Sequence, residues 1–363
     1  MSDIIDVQIS QLQKYGVIVG ENLDSSFVRF CNNRFSGDRI YVMIDEKVNR
    51  LHGSNVEKMC SKAFERVMML EVPEGETSKS MSEWNKHVNT LLEEGVERST
   101  PLLAVGGGVT GDLGGFVAAS VLRGIPLLHM PTSLLAMVDS SIGGKTGINH
   151  ETGKNLIGAF YQPDAVFTDI SFLETLEHAE WITGMAEILK YAAIDNPTIF
   201  DKLQTLVDDS LSPKDQWQNV IRESVRIKVD IVQQDALEAG KRAYLNFGHT
   251  FGHALENLSG YGELSHGEAV FVGMIAATYF SAQLGHPVDD TRFAPFISSY
   301  KQQMATLPEE VDQLINAMKL DKKVKNNTIR LVLLNEWGSP YIHECTDYSL
   351  LQESWEYALS QFN

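Results

Sequence analysis

Three of the chain's ten histidines, His249, His253 and His266, fall in one stretch, RAYLNFGHTFGHALENLSGYGELSHGE, from Arg242 to Glu268. The first two stand four apart in a segment of helical pattern, so both imidazoles leave one face. A bend of Gly, Ser and Tyr follows, and His266 opens a long apolar helix. An imidazole returned towards a helical pair is what a metal site requires. Upstream, Gly184-Met-Ala-Glu187-Ile-Leu-Lys190 sets a carboxylate and an ammonium three apart on a helix face. They form either an exposed ion pair or, through Glu187, the anionic ligand of a two-His, one-carboxylate zinc site with an open fourth position. Lys228, Asp235, Glu238, Arg242 and Asn246 approach the same stretch. The four-residue steps Glu238–Arg242–Asn246 predict one shared face if that segment is helical.

A second group of residues suits phosphate. Gly106, Gly108 and Gly111 satisfy G-x-G-x-x-G between a strand and a helix expected over 116–122. Such glycines admit a pyrophosphate to free N–H groups at a helix N-terminus, although they also close ordinary tight turns. The turn follows the third predicted strand, and the acid suited to an adenine ribose, Asp45, precedes it. A dinucleotide held in a non-standard arrangement is therefore the expected ligand. The run Pro131–Asn149 (PTSLLAMVDSSIGGKTGIN) is too polar and Gly-rich to be core, and Lys145, Lys154 and Asn155 bracket a Gly/Asn-rich loop. Lysine offers phosphate a point charge and asparagine a neutral donor. Asp139 stands out as an acid beside an otherwise apolar strip.

These groups need a scaffold. β-rich runs at 40–44, 67–72, 102–105, 127–130 and 165–167 alternate with helical stretches at 56–64 and 82–94, the latter with Ser82 as N-cap. Strands joined by helical crossovers predict a mostly parallel, Rossmann-like sheet covered on both faces. From Leu173 to about Met318 only helical periodicity is found, broken at Asn196-Pro197, Ser212-Pro213 and Gly260–Gly262. The expected fold is thus an α/β nucleotide-binding domain over 1–171 and an all-helical metal- and substrate-binding domain over 172–363. A last β-rich run, 329–334, is a candidate to rejoin the first domain.

Composition narrows the function. At 363 residues, with 43% apolar and 21% charged residues, the chain is an ordinary globular protein of two-domain size. Three cysteines without C-x-x-C spacing predict neither a disulfide framework nor a cysteine zinc site, and fit a reduced, cytoplasmic setting. The N-terminal MSDIIDVQISQLQKYGV lacks the features of a signal peptide. The longest uncharged stretch, 269–286, carries Gly, Ser, Thr, Gln and His and reads as a buried helix. Forty-eight acids against thirty bases give a net charge of −18. No nucleic acid and no membrane is expected as a partner. An anionic substrate would need a local basic pocket.

GGGVTGDLGGFVAAS, RGIPLLHMPTSLLAMVDSSIGGKTGIN, GKNLIGAFYQP, GMAEILKY and RAYLNFGHTFGHALE followed by SHGEAV together resemble the 3-dehydroquinate synthases of the sugar-phosphate cyclase superfamily. The resemblance covers most of the chain, in order. It implies conversion of 3-deoxy-D-arabino-heptulosonate 7-phosphate to 3-dehydroquinate and phosphate, with NAD⁺ used and regenerated and a divalent metal, usually zinc with Co²⁺ as an alternative. Carried over by position, it implies Glu187, His249 and His266 as metal ligands. For NAD it implies Asp45, Glu76, Lys79, Gly107, Gly108, Asp112, Thr132, Ser133, Asp139, Lys145, Lys154, Phe172 and Thr175. For substrate it implies Lys145, Asn155, Lys190, Lys228, Arg242, Asn246 and His253, with Glu238 as a proton-relay or orienting residue and Lys322 or Lys323 as a phosphate contact. Arg123, which in the family reaches the neighbouring subunit's site, implies a homodimer. Two departures, Asp235-Ala-Leu-Glu238 and Pro131-Thr-Ser133, remove no ligand. The 2-deoxy-scyllo-inosose-type cyclases and metal-dependent polyol dehydrogenases are the competing classes, and the intact VDSSIGGKTGIN run disfavours the former.

Overall fold

The computed structural model describes residues 14–208, 214–235, 240–259, 264–304, 307, 310–320 and 328–362. Glu238, Lys322 and Lys323 therefore lie outside the described residues. The N-terminal region runs β1 (Gly16–Gly20), α1 (Asp24–Arg34), β2 (Arg39–Asp45), α2 (Glu46–Ser61), β3 (Arg66–Val72), α3 (Met81–Glu93), β4 (Leu102–Gly106), α4 (Gly108–Ser120), β5 (Leu127–Pro131), β6 (Lys145–His150), β7 (Gly153–Phe160) and β8 (Ala165–Asp169). Six of these strands form one sheet in the order β1-β8-β5-β4-β2-β3, and every pair in it is parallel.

Alternation within β2 shows why both faces are covered. Ile40, Val42 and Ile44 pack into one apolar cluster, while Tyr41 and Met43 point into another, with Leu113 and Val117 of α4. β4, β5 and β8 are buried along their whole length, as a parallel sheet between helices requires. The carboxyl ends of the central strands then open into the loops that carry function.

The C-terminal region is helical: α5 (His178–Ile194), α6 (Thr198–Asp208), α7 (Lys214–Gln234), α8 (His249–Ser259), α9 (His266–Gln283), α10 (Ala294–Gln303) and α11 (Val311–Leu320), then β9 (Ile329–Glu336), β10 (Ser339–Cys345) and α12 (Tyr348–Ser360). α9 is apolar on all sides and almost wholly buried, so it is the axis of this region. α5, α8, α12 and β9 pack around it. No described helix is long and apolar enough to cross a membrane.

Several expectations change. The run at 329–334 is a strand but does not return to the large sheet: β9 pairs antiparallel with β10 through Trp337-Gly338, where Gly338 adopts φ +85°. Ser80, not Ser82, caps α3, its hydroxyl accepting from the Glu83 N–H at 3.4 Å. β1 went unread, so the glycine turn follows the fourth strand rather than the third. The Gly/Asn-rich loop is a hairpin, β6 against β7. Opposed Gly147 and Gly158 permit that pairing, because a Cβ on Gly158 would lie 2.1 Å from the Thr146 carbonyl oxygen.

Candidate active site

The glycine turn becomes the first turn of a helix: α4 starts at Gly108, eight residues before the expected Phe116. Glycine is a poor helix former, but the positions demand it here. A Cβ on Gly114 would sit 3.0 Å from that of Ala104, and one on Gly115 2.4 Å from Thr146. This helix start follows β4 directly and lies beside the end of β5, where Thr132 N–H bonds the Gly106 carbonyl at 3.0 Å.

A cavity of about 990 Å³ opens there. From the N-terminal region it is lined by Asp45, Glu76, Lys79, Gly107, Gly108 and Asp112. Thr132, Ser133, Asp139, Lys154, Phe172 and Thr175 extend the wall. Asn155, His253 and His266 border it from the metal side. Asp45 caps α2, accepting from the N–H groups of Lys47 and Val48 at 2.9 and 3.1 Å, while burial pushes its carboxyl up. Lys79 pairs with Asp112, whose carboxyl burial raises in spite of that ammonium. Glu76 accepts from the Asn149 amide at 2.7 Å, tying the hairpin to this wall. His52, which sequence reasoning missed, lines the cavity too: its Nε2 lies 2.7 Å from the Thr175 hydroxyl and its ring stands edge-on to Phe172 at 5.0 Å.

Beside this cavity, which His266 lines, the three metal candidates converge. His249 begins α8, His266 begins α9 and Glu187 lies midway along α5. Main-chain packing sets their approach. A Cβ on Gly273 would fall 2.1 Å from the Gly248 carbonyl oxygen, and one on Gly267 would fall 2.4 Å from the Thr183 Cα. Only glycine permits α8, α9 and α5 to lie this close. A capping box at Ser265 and Glu268 fixes where α9 starts, and hence where His266 stands.

His249 Nε2 and His266 Nε2 are each 3.6 Å from Glu187 Oε1. One donor atom from each residue lies within 4.8 Å of the others. Glu187 is 1% exposed and its Oε1 has no hydrogen-bond partner, while Oε2 is held by Lys190. A buried anionic oxygen left unpaired between two imidazole nitrogens is costly unless a cation completes the group. The donor set suits a divalent ion with one position open. Without the ion, burial would lower the His266 pKa, but Glu187 and Glu256 outweigh it and raise it to about 10.

Behind this trio lies a buried charge cluster. Asp139, on a π-helical turn over Ala136–Ser140, meets Lys228 at 2.6 Å, the Tyr191 hydroxyl at 2.5 Å and Lys190 at 3.6 Å. Burial favours neutral Asp139, yet the two ammonium groups hold its carboxyl well below the usual range. Burial dominates at Lys228 and lowers its pKa. At Lys190 the carboxylates of Glu187 and Asp139 override burial, and its pKa rises.

The other substrate candidates stand further back. Arg242 is 1% exposed, donates to the Gly143 carbonyl at 3.2 Å and lies over the Phe160 ring. Gly143 and Gly144 have φ of +99° and +68°, so the turn ahead of Lys145 is one that glycine favours. Arg242 and Asn246 lie on a 3₁₀ turn over Lys241–Asn246 and so do not share an α-helical face there, while Glu238 lies outside the described residues. Lys145, Lys190, Lys228, Arg242, Asn246 and Arg123 do not line the cavity. Arg123 and Leu122 occupy left-handed backbone, with φ of +66° and +51°. Glu256 is a second residue missed from sequence. It lines the cavity, and its Oε1 lies 3.5 Å from His266 Nδ1 and 3.5 Å from Lys154 Nζ. Burial would raise its carboxyl, but His266, Lys154 and His253 pull it down to about 2.

Comparison with known proteins agrees with this layout. Residues 69–183 match the family model for the 3-dehydroquinate synthase N-terminal region, and 184–324 that for the C-terminal region. The 3-dehydroquinate synthase of Salinibacter ruber is 44% identical over 326 residues, 89% of each chain. Among solved structures, 2-epi-5-epi-valiolone synthase from Streptomyces hygroscopicus with NAD⁺ and Zn²⁺ bound is 25% identical, with a TM-score of 0.86 over 99% of this chain and 100% of that one. A 2-deoxy-scyllo-inosose synthase complexed with carbaglucose-6-phosphate, NAD⁺ and Co²⁺ is 26% identical, with a TM-score of 0.80 over 94% of this chain and 96% of that one. Through matched models across both regions and this identity along nearly all its length, the chain belongs to the 3-dehydroquinate synthase family.

Proposed function

We propose that the chain converts 3-deoxy-D-arabino-heptulosonate 7-phosphate to 3-dehydroquinate and phosphate, as an NAD- and metal-dependent, phosphate-eliminating carbon–oxygen lyase of the shikimate pathway. It works as a cytoplasmic homodimer, with an NAD-binding domain over residues 1–171 that also lends substrate contacts, and a metal- and substrate-binding domain over 172–363 whose first residues reach the nucleotide. The observation that carries the reading is the unpaired, buried Glu187 Oε1 between His249 and His266, beside a cavity of about 990 Å³ that His266 also lines.

Glu187, His249 and His266 would hold zinc, or cobalt in its place, which would supply Lewis acidity at the substrate alcohol, and NAD⁺ in the cavity would supply reversible hydride acceptance. The chain's own groups do the rest. Gly107 and Gly108 at the start of α4 would hold the pyrophosphate on main-chain N–H groups. Asp45 would hold the adenine ribose, and Phe172 and Thr175 would contact the nucleotide. Glu76, Lys79, Asp112, Thr132, Ser133, Asp139, Lys145 and Lys154 complete the nucleotide contacts. Lys145, Asn155, Lys228, Arg242, Asn246 and Lys323 answer the negative charge of phosphate and carboxylate, stabilising it as phosphate leaves. Lys190 fixes Glu187 by occupying Oε2. His253, beside the metal ligands, serves proton transfer or hydrogen bonding, Glu238 is a proton-relay or orienting residue, and Arg123 reaches the second subunit's site.

One assay tests the reading. The protein is incubated with heptulosonate phosphate and catalytic NAD⁺ while phosphate and absorbance at 340 nm are followed together. Phosphate release without accumulated NADH is expected. NADH formed in step with product would indicate a polyol dehydrogenase. Turnover of glucose 6-phosphate instead would indicate a 2-deoxy-scyllo-inosose-type cyclase.

A further inference from the structure

The two histidines of the metal trio are steered differently. His249 is held by its own main chain: its Nδ1 lies 3.1 Å from the Phe247 carbonyl oxygen, which makes it the protonated nitrogen and frees Nε2 for Glu187's side of the site. At His266 the group at that place is a side chain. Glu256 Oε1 lies 3.5 Å from His266 Nδ1, while His266 Nε2 faces Glu187 Oε1 at 3.6 Å.

The sequence builds this relation. Glu256 follows His249 by seven residues and His253 by three on α8, so all three share the face turned to the start of α9. The Glu256 side chain is mostly buried, at 13% exposure, and also meets Lys154 of β7 at 3.5 Å. A carboxylate behind a ligating imidazole fixes the tautomer and the ring plane and makes the far nitrogen a better donor. From this geometry we infer that Glu256 is a positioning residue, which holds the Nδ1 proton of His266 and presents Nε2 to the ion. The inference rests on the metal reading proposed above.

Glu256→Gln keeps the size of the side chain and removes its charge. In full-length protein stripped and reloaded with Co²⁺, chelator competition should show affinity about 10- to 100-fold below wild type. The visible bands of the cobalt-loaded variant should also shift, because the donor strength of one imidazole has changed. Lys154→Met separates this role from a bridge between the two regions, and should not weaken cobalt binding. Three results would overturn the inference: affinity within about twofold of wild type in Glu256→Gln, weakened binding with unmoved bands, or an equal loss in Lys154→Met. Wild-type protein that bound no cobalt would overturn the metal reading along with it.

Discussion

Glu187 carries two duties that one substitution can separate. Its Oε1 faces two imidazoles and its Oε2 holds the Lys190 ammonium, with the side chain 1% exposed. Glu187→Gln preserves shape and removes one negative charge. In metal-free protein, Lys190 and Lys228 would then share the single carboxylate of Asp139, at 3.6 and 2.6 Å. Breaking a buried ion pair by neutralising one partner costs about 3–5 kcal/mol, since the other charge stays buried. Urea unfolding of chelator-treated protein should therefore show a loss of about 3 kcal/mol. Bound zinc, counted after reloading, should fall from one ion per chain to a small fraction, because losing an anionic ligand exceeds the roughly 10- to 100-fold that losing an outer partner costs. Unchanged stability in the metal-free protein would refute the ion-pair argument. Full zinc occupancy in the variant would refute the ligand assignment, whatever the stability did.

Gly267→Ala would drive a Cβ to 2.4 Å from the Thr183 Cα. The strain should cost about 1–3 kcal/mol in urea unfolding and weaken zinc binding together with it; a variant as stable as wild type would show that α5 and α9 separate freely. Arg242→Ala should raise KM for the phosphorylated substrate far more than Kd for NAD⁺, and equal losses would put Arg242 in the wrong pocket. His129, buried in β5, is kept neutral by burial down to about pH 4, against about 6.5 in the unfolded chain. Its contribution is intact above pH 6.5 and lost as pH falls towards 4, since only the unfolded chain takes up the proton; the loss approaches about 3 kcal/mol. His129→Phe should flatten that part of the stability profile measured by urea titration.

Much of this layout was legible in the residues. The central strands announced themselves as apolar runs, and His249, His253 and His266 as a helical pair plus a returning third. What escaped notice has physical causes. β1 is five residues with glycine at both ends, and its place beside β8 comes from main-chain pairing that side chains do not advertise. The β6–β7 hairpin reads as loop because Gly147 and Gly158 bring two backbones together where side-chain patterns are silent. The early start of α4 runs against glycine's helix propensity, since close contact with β4 and β6 overrides it. Glu256 looked like an ordinary polar helix residue; only the return of α9 brings His266 to it.

The glycine contacts among α5, α8 and α9 bear on how the centre ages and exchanges. Glycine contacts set main chain against main chain among these helices, so the backbone spacing of Glu187, His249 and His266 is fixed within the C-terminal region itself. An ion seated there would keep its ligand spacing whether or not the coenzyme is bound.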